Sequence, residues 1–280
     1  MGVPVGIQAA KFVFAVFIST FCSLCLAADK VAGLDKLLLL SGFTKQIEEL
    51  PGVVKSGFEE GAQKGAPIPE DELKRILESV DKTILPSVIM NEARSSLSES
   101  LTEKDIEALL VWYESDLGKK ITAAEEKAST GEAYQELMVN AQQLMLDTKR
   151  IEVATRIDQL VGATDMAMEM QATTGIAVYS AIMTMMAPGQ DINLDAYKAQ
   201  MEAMKPQMRQ SIEQLVAVSF VYTYQGIDDA SLAKYEEFLS KPETKKFNSS
   251  AIKGLNKGFA EVVGRWSGDL ASILKGEANM

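Results

Sequence analysis

Apolar residues recur along most of this chain at intervals of three and four. Leu73, Ile76, Leu77 and Val80 form one such stripe, Ile106, Leu109, Leu110 and Tyr113 a second, and Met201, Met204, Met208 and Ile212 a third. That spacing puts each set on one face of an α-helix. Alternating strand patterns closed by hairpin turns are absent, and Gly and Pro fall between long periodic runs. The pattern predicts an all-α chain of two tandem, related multi-helix modules packed as a helical bundle.

The two-module expectation rests on an internal repeat. In Leu37-x-x-Leu40-Ser41-Gly42-Phe43-Thr44 an apolar helical edge meets a glycine suited to a left-handed stop, and Thr44 can cap the next helix. A shift of 120 residues leads to Ile157-x-x-Leu160-Val161-Gly162-Ala163-Thr164, and Pro86 and Pro206 keep that shift. Leu101-Thr102-x-x-Asp105-Ile106 has the form of a capping box with a hydrophobic staple. Ile227-Asp228-x-x-Ser231-Leu232 repeats the staple and a cap 126 residues later. Each leads into a short break, Trp112 to Ile121 and Phe238 to Phe247, where Ser115 suits an N-cap and Pro242 a first helical position. The modules are expected over residues 30–150 and 151–280.

The start of the chain reads as an address. Lys11 precedes an apolar run from Phe12 to Leu26, broken only by Ser19, Thr20 and Ser23. At about 15 residues the run is shorter than the ~20 of a membrane span and fits a signal peptide over residues 1–27, cut between Ala27 and Ala28. Cys22 and Cys25 are the only cysteines, so the exported chain is expected to have no disulfides and to rely on its core. It is not expected to be an integral membrane protein after cleavage.

Composition narrows the chemistry. The 280 residues are 47% hydrophobic and 24% charged, with 28 basic against 39 acidic side chains and a net charge of −11. Nucleic acid is excluded as a partner on that balance, because phosphate binding needs a basic surface. There is no histidine, which removes Ser-His-Asp and Cys-His catalysis and most zinc and haem ligand sets. No calcium loop, phosphate-cradling glycine loop or Ser-x-x-Lys motif is present.

The run Lys36-Leu37-Leu38-Leu39-Leu40-Ser41-Gly42, with Gln46-x-x-Glu49-Leu50-Pro51 after it, resembles the opening of the domain of unknown function 2059 family. The run from Trp112 to Lys120 is similar to that family's aromatic-Tyr-x-Ser-Pro-x-Gly-x-Lys signature, with Asp116 in place of the usual Pro. In the second copy Lys241 and Thr244 replace the usual Ser and Gly, while Pro242 and Lys246 are kept. The resemblance implies a helical, exported bacterial protein of the periplasm, and it brings no established activity and no catalytic residues.

Trp112, Tyr113, Ser115, Gly118, Lys120, Phe238, Pro242 and Lys246 are therefore expected to build helix–turn–helix corners, with an aromatic anchor and a lysine lying over each joint. Nine of the 14 methionines fall between Met166 and Met208. Met166, Met168 and Met170 cannot converge on one helix, since residues two apart point about 200° apart. Met166 and Met170 share a face, as a core stripe does, so core packing is the first reading of the methionines. Met166, Met170, Met183 and Met186 are also candidates for an adaptable apolar groove that takes a peptide or lipid. The uncharged stretch Gln171–Gln190 suggests either the centre of the fold or a homodimer seam, with Gly175, Ala177 and Ala181 permitting close approach.

Adjacent acids such as Glu59-Glu60, Glu125-Glu126 and Glu236-Glu237 read as solvated faces, and Glu70/Lys74, Asp71/Arg75 and Glu78/Lys82 as pairs one turn apart. The expected function is non-enzymatic binding or interaction in the cell envelope, with a protein, peptide or lipid as partner and neither cofactor nor metal. Two alternatives stand beside it: soft-metal binding of Cu(I) through methionine thioethers, and a hydrolase using carboxylates alone.

Overall fold

The computed structural model describes residues 29–64, 69–186 and 193–274. The leader expected over residues 1–27, with both cysteines, lies outside them. Regular structure among the described residues is entirely helical: α1 (29–40), α2 (Phe43–Lys64), α3 (Glu70–Thr83), α4 (Pro86–Ser100), α5 (Glu103–Glu114), α6 (Asp116–Ala128), α7 (Gly131–Leu144), α8 (Thr148–Val161), α9 (Ala163–Met186), α10 (Asp195–Tyr224), α11 (Asp229–Leu239) and α12 (Pro242–Leu274).

The capping chemistry sets these boundaries. Thr102 and Asp105 form a full capping box at the start of α5, and Asp228 accepts from the Ser231 N–H at the start of α11. Ser115 accepts from the Gly118 N–H to open α6, and Pro242 is the first residue of α12. Gly42 and Gly162 stop α1 and α8 with φ of 72° and 75°, a region where a Cβ is penalised. The threonines that follow depart from expectation. Thr44 donates its hydroxyl back to the Leu38 carbonyl, and Thr164 donates its N–H and O–H to Asp158 at 2.8 and 2.7 Å. Both tie the new helix to the one before it, because the tight glycine stop folds each threonine back over the preceding turn.

Two smaller apolar cores fix α7 and α8 on α10, and two large ones hold most of the described helices. One joins Leu37 and Leu38 of α1, Leu97 of α4, Ile106 and Leu109 of α5, Ile157 of α8 and Leu232 and Phe238 of α11. The other gathers Ile76 and Val80 of α3, Ile89 of α4, Ala177 and Ala181 of α9, and Val262 and Trp266 of α12. α12 packs against α3, α4, α5, α8, α9 and α11 and is the central helix. It crosses α4 at Gly254 and Gly258, where an added Cβ would stand 2.4 Å from the Ala93 Cα and 2.6 Å from the Ile89 Cα.

The uncharged stretch from Gln171 is thus not the centre. α9 buries Ala177 and Ala181 but leaves Ile182 exposed, since one small-residue stripe suffices to meet α12. Gly175 leaves room for Tyr197 of α10, whose ring stacks on Tyr179 at 4.5 Å. Among the described residues the expected pairs Glu70/Lys74, Asp71/Arg75 and Glu78/Lys82 do not form. Charges bridge helices instead, as in Lys55–Asp81 at 2.7 Å, Arg156–Glu236 at 2.8 Å and Lys257–Glu92 at 2.7 Å. Pairs one turn apart do form elsewhere, as in Lys205–Glu202 and Arg265–Glu261, and such exposed pairs gain little either way. No helix among the described residues is long and apolar enough to cross a membrane.

Candidate functional site

The two corners anticipated from the sequence meet in space. Trp112, at the end of α5, stacks on Phe238, at the end of α11, with centroids 4.4 Å apart and planes 6° from parallel. Tyr235 continues the stack at 6.0 Å from Trp112, and Tyr113 meets Phe238 edge-on at 5.6 Å. Gly118 is held against the backbone of α5, where a Cβ would lie 2.0 Å from the Trp112 carbonyl oxygen. The second corner seats Thr244 in the matching place, fully buried, with its hydroxyl unpartnered among the described residues.

The corner lysines cross over. Lys246 of α12 pairs with Asp105 of α5 at 2.7 Å. Its ammonium, with the Thr102 backbone N–H, holds the Asp105 carboxyl down at about 2. Lys120 of α6 is exposed, and its charge helps to lower Asp228 at the start of α11, after the larger effect of the Ser231 hydrogen bonds. Trp112→Ala is expected to cost about 3 kcal/mol of unfolding free energy by chemical denaturation, the lower range for loss of a packed aromatic because Trp112 is only partly buried. A loss under about 1 kcal/mol would show that the stack is ornamental to the corner.

Beside this stack lies a cavity of about 310 Å³, walled by α2, α5, α6 and α8–α12. Its lining is mixed. Phe43, Val161, Met166, Phe220, Phe247 and Leu255 give an apolar wall, and Tyr113, Glu125, Tyr224 and Tyr235 a polar cluster. Glu125 projects from α6, and its Oε1 accepts from the Tyr224 and Tyr235 hydroxyls at 2.7 Å each. The partners come from α10 and α11, 99 and 110 residues further along the chain. The tyrosines also pack on one another, with Tyr224 and Tyr235 rings at 5.8 Å and Phe220 against Tyr224 at 5.9 Å. No lysine or arginine is among the described residues that line the cavity. The neighbouring Glu126 takes Lys45 at 3.0 Å instead.

The electrostatics follow from that setting. Burial pushes the Glu125 carboxyl above the usual carboxylate range, with Glu126 adding to it, against the lowering effect of the two phenol hydrogen bonds. Burial, followed by the Glu125 charge, pushes Tyr113, Tyr224 and Tyr235 upward. All three remain neutral O–H groups across the physiological range.

A carboxyl whose folded pKa exceeds its unfolded value binds its proton more tightly in the folded state. Its stabilising contribution is full below the unfolded value of 4.5 and is lost as pH rises from there through the raised folded value. Glu125→Gln carries no charge to desolvate. Its stability relative to the unaltered chain is therefore expected to improve between about pH 4 and pH 7, checked by urea denaturation at both. The opposite slope would mean that the carboxylate is stabilised where it stands.

The methionine candidates do not form one groove. Met166 lines the cavity, while Met170 packs on the core around α12. Met183 is partly buried about 25 Å further along α9 than Met166, at 1.5 Å per residue. The side chain of Met186 lies outside the described ones. Sequence reading missed a different trio: Met168 of α9 and Met201 and Met208 of α10 line a groove of about 310 Å³. Lys205 in that groove pairs with Glu202, and Arg209 with Asp165 and Glu213. A third hollow, of about 450 Å³, holds Asp158, which accepts from the Thr164 N–H and O–H, and Arg209, which pairs with Asp165 and Glu213. Among the described residues no group of three acidic, His or Cys side chains is placed to hold a metal ion.

No curated protein and no solved structure matches the chain. The resemblance read from Trp112 to Lys120 falls within a family match, while the Lys36–Pro51 run and the second corner lie outside it. The segment of residues 87–148, from α4 through the Trp112 corner and Glu125 to α7, matches an uncharacterized protein family conserved in bacteria, DUF2059.

Proposed function

We propose that this chain is an exported, non-enzymatic binding protein of the bacterial cell envelope, built from two related helical modules, and that its ligand occupies the cavity floored by Glu125. The observation that carries this reading is the Glu125–Tyr224–Tyr235 cluster. It sets a carboxyl of α6 against phenols of α10 and α11, in a cavity of mixed lining large enough for a small molecule. Burial makes that carboxyl costly, and a costly polar group lining a cavity is a candidate for ligand binding. The crossed corners support the module reading. Trp112 stacks on the residue at its own repeat position, Phe238, and each corner lysine faces the start of the other module's helix.

The carboxylate hydrolase gains less. Glycoside hydrolysis needs two free carboxyls facing one space. Among the described residues Glu125 is the one carboxyl lining its cavity, and Asp158, Asp165 and Glu213 of the larger hollow are engaged by Thr164 and Arg209. Soft-metal binding has one observation in its favour, the shared groove of Met168, Met201 and Met208. A Cu(I) competition titration of the unaltered chain and of Met201→Leu separates the two readings, because only a thioether site loses affinity in the variant.

The test is native mass spectrometry of the protein isolated from the periplasmic fraction. The expected spectrum shows a chain lacking residues 1–27 that carries a reproducible small-molecule adduct. Ser219→Trp, which fills the cavity with an indole, is expected to keep the fold and lose the adduct. An intracellular chain of full mass contradicts export, and an adduct that survives in the variant contradicts the cavity.

A further inference from the structure

Resting on the cavity as the ligand site, we infer that its occupant carries an ammonium group on a compact apolar or aromatic body, with Glu125 as the counter-ion. The carboxylate is used on one side only. Both phenol hydroxyls donate to Oε1, and Oε2 receives no donor from any described residue. A carboxylate accepts through two oxygens with about four lone-pair directions, so a half-filled one beside an open cavity has capacity for a ligand's N–H groups. Tyr113 lines the same space, and its hydroxyl also lacks a partner among the described residues, which gives a second acceptor.

Nothing in the wall supplies a competing cation. Among the described residues the lining contains no Lys or Arg, and Lys45 of α2 is held by Glu126. An anionic ligand would meet one buried negative charge with no positive one. A neutral ligand would leave that charge with only the two phenol hydrogen bonds to offset its desolvation, which is costly.

The aromatic lining points the same way. Phe43, Tyr113, Phe220, Tyr224, Tyr235 and Phe247 line the cavity together with Glu125, and ring faces attract cations. A ring wall with one carboxylate and no base is complementary to an amphipathic ammonium, and its volume of about 310 Å³ suits a compact one. The net charge of −11 draws cations toward the protein from a distance.

Isothermal titration with three probes of one skeleton tests this: phenylbutylammonium, phenylbutanol and phenylbutyrate. The unaltered protein is expected to bind the ammonium about tenfold or more tighter than the alcohol, and the carboxylate weakest, the difference a charge-assisted hydrogen bond makes. Glu125→Gln keeps an acceptor for the two phenols and removes the charge. It is expected to erase the preference for ammonium over the alcohol. Equal binding of alcohol and ammonium, binding of the carboxylate alone, or no binding of the ammonium overturns the ammonium assignment. Each of these leaves the cavity reading to the adduct spectrum of the Ser219→Trp protein. The comparison of probes on the unaltered protein decides the matter even where Glu125→Gln is unstable.

Discussion

Replacing Gly254 by leucine is expected to lower the unfolding free energy by about 3 kcal/mol or more, beyond the usual cost of overpacking. The reason is what the new side chain would strike. At this position even a Cβ meets backbone of α4, with the Ala93 Cα at 2.4 Å and the Glu92 carbonyl oxygen at 2.8 Å. Backbone inside a helix cannot swing aside as a side-chain tip can, so α4 and α12 must separate. Gly258 one turn on meets Ile89 in the same way, and the seam is lost along two turns. Gly264→Ala is the control. Its Cβ enters open space, and the swap is expected to stabilise the helix by about 0.5–1 kcal/mol. Urea denaturation of the two variants should show shifts of opposite sign. A Gly254→Leu protein as stable as the unaltered chain would mean that α4 and α12 do not cross here.

Trp266→Ala is expected to cost about 3–5 kcal/mol. The indole is 2% exposed, sits against Phe58 at 5.4 Å, and donates through Nε1 to Ser79 Oγ at 2.8 Å. Ser79 in turn donates to the Ile76 carbonyl at 2.7 Å, so one chain of hydrogen bonds pins α12 to α3. Truncation opens a void among Ile76, Val80, Val262 and Val263 that these branched side chains cannot refill. Trp266→Phe keeps most of the volume and gives up the hydrogen bond, and a loss of about 1–2 kcal/mol is expected for it. A phenylalanine variant as damaged as the alanine one would assign the stability to the hydrogen bond rather than to packing.

Local features were legible in the sequence because they depend on neighbours a few residues away. The Thr102–Asp105 box, the Ser115 and Asp228 caps, the glycine stops at 42 and 162 and the first-position Pro242 all stand where their spacing put them. Thr44 and Thr164 show the limit of that logic. A hydroxyl next to a helix start can bond forward or backward, and only the angle between the two helices decides which.

The candidate site was illegible for a related reason. Glu125 stands beside Glu126 in what reads as a solvated acidic pair, and the tyrosines that claim it lie a hundred residues away. One signal was present: Glu125 falls four residues after Ile121 and seven after Gly118, both buried on the inner face of α6. Gly254 and Gly258 likewise show four-residue spacing that marks close helix crossings, but the helix they touch is fixed only by the fold. Met168 meets Met201 and Met208 across two helices, a convergence that periodicity within a single helix cannot reveal.

The central claim, that the ligand seats on the Glu125 cluster, can be read from tyrosine rings. The chain has seven tyrosines. Tyr113, Tyr224 and Tyr235 line the cavity, whereas Tyr134, Tyr179, Tyr197 and Tyr222 do not. Carbon-13 NMR of ring-labelled protein, recorded before and after addition of the small molecule released from the natively isolated chain, should move the signals of the first three and spare the other four. Shifts confined to the outer four, or no ring shift at saturating ligand, would place binding elsewhere and contradict the account.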